Sequence, residues 1–127
     1  MKAVPESLRK WFVLHAVVDL VFAIPLFFYP EWFLRLLGWP YYDPVTARLV
    51  AAALFGIGLE SYFGRHGSID SFRSMLRLKI IWSLAATVGI LWTMFALPEK
   101  PLIGWGLALV FGAFHGLWLY WRRRLFM

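Results

Sequence analysis

Residues 49–64, LVAAALFGIGLESYFG, and residues 72–97, FRSMLRLKIIWSLAATVGILWTMFAL, are two apolar runs joined by the short polar stretch RHGSIDS. The first extends back to Val45, and each then matches or exceeds the ~20 residues that an α-helix needs to cross a bilayer core. A connection this short returns the second helix antiparallel beside the first. Each run carries one charge that apolar surroundings penalise, Glu60 in the first and Lys79 in the second.

Two further runs of the same kind flank this pair. Trp11 to Tyr29 is ~19 residues long, and no small-residue cleavage site follows it, so it reads as a retained spanning helix rather than a signal peptide. Leu102 to Trp121 is the fourth, ending in Arg122-Arg123-Arg124. The reading is therefore an all-α integral membrane protein. It is expected to be a four-transmembrane-helix antiparallel bundle in a single domain, 1–127, with spans near 11–29, 45–63, 72–97 and 102–121.

Composition agrees. Of 127 residues, 61% are hydrophobic and 16% charged, and the mean hydropathy is +0.68. A soluble domain of this size buries only ~60–70% of the surface its unfolded chain exposes, too little to hide so much apolar area. The absence of cysteine excludes disulfides, thiolate metal sites and thiol redox chemistry. The net charge of +6 comes from basic residues beside apolar runs, a placement suited to anionic headgroups. Membrane lipids are the expected partners, a homo-oligomer or a larger membrane complex is the further option, and nucleic acid is not expected.

Between the first two spans, Glu31 to Leu37 reads as a short interfacial helix closed by a glycine cap at Gly38. Trp39, Tyr41 and Tyr42 form an aromatic belt at the same level. Asp43-Pro44 supplies an N-cap and a first-turn proline for the next span. Pro25 removes a helical hydrogen bond within the first span, so a bend is expected there.

Lys2, Arg9, Lys10, Arg65, Arg73, Arg77, Arg122, Arg123 and Arg124 fall on the side of both termini, against Arg35, Arg48 and Lys100 on the other. The positive-inside rule then places both termini in the cytoplasm, with a prokaryotic cytoplasmic membrane as the expected location.

Polar residues inside the apolar layer are the candidate site. Asp19 lies eight residues past Trp11, about 12 Å deep at 1.5 Å per residue. His15 shares its face, because positions i and i+4 align. Glu60 and Lys79 differ in depth by ~6 Å, within reach of a salt bridge, although a lysine can also snorkel to the phosphates. Lys79, Ser83, Ala86, Thr87 and Ile90 share one stripe of the third span. His115 lies six residues before Trp121, ~9 Å deep. Two packing ridges step by four: Ala52 and Gly56, continuing from Arg48 towards Glu60, and Gly104, Ala108, Gly112 and Gly116.

The expected function is a polar pocket in the cytoplasmic half, built from His15, Asp19, Glu60, Lys79, Ser83 and His115. It would bind or help transport a small lipophilic or protonatable molecule. One alternative is an accessory subunit whose polar residues and ridges only pack. Another is a small intramembrane enzyme or haem protein, with His15 and His115 as axial ligands. No metal site is assigned, although His15, Asp19, Glu60 and His115 are suitable ligand types. The layout is similar in kind to several small four-helix membrane families, yet none of their residue signatures is reproduced. A lone early glutamate, as in quaternary-ammonium exporters, is replaced by His15 and Asp19, and the vitamin K and thiol oxidoreductases need cysteines. No soluble-enzyme motif, such as a nucleophile elbow or a phosphate-binding glycine loop, is present.

Overall fold

The computed structural model describes residues 3–126; Lys2, counted above on the basic side, lies outside them. All regular structure among the described residues is helical: α1 (Glu6–Phe28), α2 (Pro30–Leu36), α3 (Pro44–Phe63), α4 (Ile69–Ala96) and α5 (Leu102–Phe126). Four of these helices are long and apolar enough to cross a membrane, and the short α2 lies between the first two of them. The fold class expected from the sequence is the one observed.

Helix ends are fixed by local chemistry. After α2, Gly38 takes a φ of 77°, which only a residue without Cβ adopts at no steric cost. Its N–H donates to the Arg35 carbonyl at 3.0 Å, and the Trp39 N–H donates to the Leu34 carbonyl at 2.9 Å. That is the paired bonding of a Schellman cap. At the start of α3, the Asp43 carboxylate accepts from the Thr46 backbone N–H at 3.2 Å and from the Thr46 hydroxyl, while Pro44 occupies the first helical position.

Those bonds to Thr46 hold the Asp43 carboxyl below its ordinary pKa. The contribution is therefore full above the pKa of the unfolded chain's aspartate and is lost as pH falls through the lower folded value. The protection of the Thr46 amide, its exchange rate measured against the intrinsic rate at each pH, should fall in acid in the wild type. In Asp43→Asn, which keeps a cap without a titrating group, protection should lose that acid dependence.

Three helices run further than the apolar pattern alone suggests. α1 begins at Glu6 because the Pro5 carbonyl accepts from the Leu8 and Arg9 N–H groups at 3.1 and 3.3 Å. α4 begins at Ile69 because the Ser68 hydroxyl accepts the Ser71 N–H at 3.2 Å. α5 continues through the arginine run to Phe126, where basic side chains complement the negative end of the helix dipole.

The chain divides into two compact units, one ending at Phe72 and the other beginning at Arg73. In the first, α1 packs antiparallel on α3. The buried stripe of α1 is Leu8, Phe12, His15, Ala16, Asp19, Ala23 and Leu26, and that of α3 is Ala47, Ala51, Leu54, Gly58 and Ser61. Both follow the alternating three- and four-residue steps of helices packed at a shallow angle. Leu26, Ala47 and Ala51 form a core against which Phe33 and Leu34 of α2 pack. At the opposite end Phe12 stacks on Phe72 with centroids 4.5 Å apart. Arg9 donates to the Arg65 and Gly67 carbonyls at 2.6 and 3.2 Å.

In the second unit, α4 and α5 form an antiparallel hairpin. Its register is shown by Arg73 over Phe126, Lys79 over Trp118 and Phe95 against Trp105. Lys100 closes the turn by donating to the Met94 and Leu97 carbonyls, each at 2.7 Å.

Candidate functional site

Polar side chains enter the apolar helices by occupying positions on packing stripes. In the first unit His15 and Asp19 sit in line with Leu8, Phe12 and Leu26, each only 4% exposed. His15 Nε2 is 3.4 Å from Asp19 Oδ1, one turn apart. Facing Asp19 is Gly58 of α3, where a Cβ would stand 2.8 Å from the Asp19 Cβ and 3.5 Å from the Ala16 carbonyl oxygen. The carboxylate therefore reaches this depth because α3 offers no side chain opposite it. The four-residue ridge in the sequence runs through Gly56 and misses Gly58; an added Cβ at Gly56 meets nothing within 4 Å.

In the second unit the Ser83 hydroxyl is 3.0 Å from His115 Nδ1 and 3.3 Å from the Ile80 carbonyl. A hydroxyl has one proton. If Ser83 donates it to Ile80, His115 Nδ1 carries the proton of the shared bond and a neutral ring leaves Nε2 as an acceptor. If Ser83 donates to Nδ1, Nε2 is the N–H. Lys79 lies on the same stripe, one turn before Ser83, and is 2% exposed. Its ammonium is 4.9 Å from the centroid of Trp118, so a cation–π contact accompanies its burial.

The structure thus pairs His15 with Asp19, and Ser83 with His115, and it seats Lys79 on Trp118. Glu60 is exposed on α3, outside the His15–Asp19 pair. Within either unit, no set of three His, Asp or Glu side chains among the described residues converges as metal ligands.

Of the residues read as packing ridges, Gly104 and Ala108 are buried, Gly112 is half-buried, and Ala52, Gly56 and Gly116 are exposed. The reason is helical phase. Each four-residue step overshoots a 3.6-residue turn by about 40°, so a ridge followed for three steps rotates about 120° off its starting face. In α5 the buried line passes instead from Ala108 to Trp118 and Leu125.

The basic residues assigned to the side away from the termini are all engaged locally. Arg35 pairs with Glu31 at 2.7 Å, Arg48 donates from Nε to the Phe27 carbonyl at 3.0 Å, and Lys100 caps α4. Arg48 and Lys100 thereby satisfy carbonyls at helix C-termini, where cations are favoured.

These features define the class: an all-α chain with four helices of membrane-crossing length and apolarity, consistent with an integral membrane protein, and with polar pairs built into its helix contacts. Compared with known proteins, the chain matches no family model, no curated protein and no solved structure.

Proposed function

We propose that this protein binds, or helps move across the membrane, a small lipophilic or protonatable molecule, and that Asp19 with His15 is the binding element. The observation that carries the reading is the burial of this acid–base pair on the packing stripe of an apolar helix, against a glycine. A charge at such depth costs ~2.5–3.5 kcal/mol on insertion scales, so residues of this kind mark ligand or proton sites more often than inert packing. Asp19 is the counter-ion to which a small lipophilic cation can pair. His15, one turn away, can hold or release the balancing proton. Ser83, His115 and Lys79 are a second set of polar groups in the same reading, with Glu60 as an exposed acid on α3.

Both termini are placed in the cytoplasm of a prokaryotic-type membrane. The count of nine basic residues on the side of the termini against Arg35, Arg48 and Lys100 on the other supports this.

The test uses tetraphenylphosphonium as the probe, with purified protein in detergent. The wild type should bind it saturably, and Asp19→Asn, which keeps the shape but not the charge, should bind at least about tenfold more weakly. Equal binding by Asp19→Asn, or no saturable binding by the wild type, overturns the reading.

A second reading, an accessory or self-associating subunit, is favoured by one observation. Ala52 and Gly56 form an exposed small-residue strip on α3 that would admit another helix closely. A stable, monodisperse monomer in detergent counts against it.

A further inference from the structure

The α4–α5 hairpin holds an imidazole whose two nitrogens are not equivalent. The Ser83 hydroxyl is within reach of both His115 Nδ1 and the Ile80 carbonyl, and its one proton serves only one of them. Three other hydroxyls on α3 and α4 show which. Ser61 donates to the Ile57 carbonyl at 2.8 Å, Thr87 to the Ser83 carbonyl at 2.7 Å and Thr93 to the Gly89 carbonyl at 2.9 Å. A helical serine or threonine in apolar surroundings turns its proton back to a carbonyl of the preceding turn. By the same preference Ser83 donates to Ile80, and the 3.0 Å bond to His115 is carried by Nδ1–H. The neutral ring then has its bare lone pair on Nε2. Nε2 has no partner among the described residues, and His115 is half-buried, so the lone pair is not sealed off.

The surroundings say what fits that lone pair. Within this unit no three metal-ligating side chains converge among the described residues, whereas a metal site needs three or four protein ligands. The fitting ligand is therefore an N–H or O–H donor. It is neutral, because a charge in the apolar layer is costly. It is aromatic, because rings surround the imidazole. Phe111, one turn before His115, meets Trp82 edge-on with centroids 6.2 Å apart, and Phe114 stacks on Trp118 at 5.7 Å. Room for a further ring comes from the glycines on either side of His115. An added Cβ would meet nothing within 4 Å at Gly116 and only Thr87 Cγ2, at 3.9 Å, at Gly112. A phenol combines a flat ring that packs among aromatic side chains with a polar O–H handle.

We propose that His115 Nε2 accepts a hydrogen bond from the hydroxyl of a lipid-soluble phenol, with Ser83 as the positioning residue that fixes the tautomer. This rests on the binding reading above and names an uncharged ligand for its second set of polar groups.

The test is 15N NMR of the full chain, labelled at histidine, in detergent micelles, with the His115 signals assigned by their loss in His115→Gln. The ring should show a protonated Nδ1 and a bare Nε2. Titration with 1-naphthol should shift Nε2 saturably, whereas 1-methoxynaphthalene, with the same rings but no hydroxyl proton, should not. Ser83→Ala should bind 1-naphthol about fivefold more weakly, the weight of one hydrogen bond, and its ring proton should no longer be confined to Nδ1. A ring protonated at Nε2 in the wild type overturns the tautomer and with it the site. Equal shifts with both naphthalenes would show partition into the micelle only, and the absence of a saturable shift would show no site. Undiminished binding by Ser83→Ala would remove the positioning role. Each of these overturns the proposal. Tetraphenylphosphonium has no hydroxyl, so its binding reports on Asp19 through a separate probe, and failure of one site is distinguishable from failure of the other.

Discussion

Gly58→Ala should destabilise the protein by about 1–3 kcal/mol, the usual cost of forcing extra atoms into a packed contact. The new methyl would stand 2.8 Å from the Asp19 Cβ. That atom is fixed to the α1 backbone and cannot swing away, so relief requires α1 and α3 to separate. The probe affinity should fall with stability, because the same separation displaces Asp19. Gly56→Ala, two residues earlier in the same helix, is the control. Its Cβ meets nothing within 4 Å, and alanine is the better helix former by ~1 kcal/mol. It should leave stability unchanged or slightly raised. Unfolding of both variants in mixed micelles checks the contrast, and equal effects would remove Gly58 from the α1–α3 contact.

His15→Leu should be more damaging still, by about 3–5 kcal/mol, because removing one member of a buried pair withdraws the compensation on which the other's burial depends. The informative comparison is with His15→Leu/Asp19→Leu. Replacing both members with apolar residues takes away the buried acid as well, so the double variant should be more stable than His15→Leu while losing probe binding entirely. A double variant as unstable as the sum of the singles would mean that the two residues act independently. The cycle also separates stability from function: a pair retained for binding is one whose apolar replacement folds but no longer binds.

Much of the architecture was legible because it depends on local chemistry. Asp43-Pro44 starts a helix wherever it stands before an apolar run, and Gly38 ends α2 because the left-handed turn there needs no Cβ. Run length alone counts the four long helices. The i, i+4 spacing of His15 and Asp19 is enough to put them on one face. Less was legible at the polar ends. The Ser68 cap advanced α4 to Ile69, and the arginine run was absorbed into α5, because both are polar residues that extend a helix as readily as they leave one.

The facing of each helix was not legible. In a soluble protein the apolar side of a helix identifies its buried side, but these helices are apolar all round, so hydrophobicity carries no directional signal. Along α3, Ala51, Ala52, Ala53, Gly56 and Gly58 are all small, and the sequence offers two equally good ridges one residue apart. The structure chose Ala47, Ala51, Gly58 and Ser61, turning Ala52, Gly56 and Glu60 outward. Sequence by itself determined the number and order of the helices and which polar residues fall inside them, since these follow from near neighbours in the chain. Only tertiary structure decided which glycine makes room for Asp19, because that depends on the phase of one helix against another, a quantity that no single apolar run records.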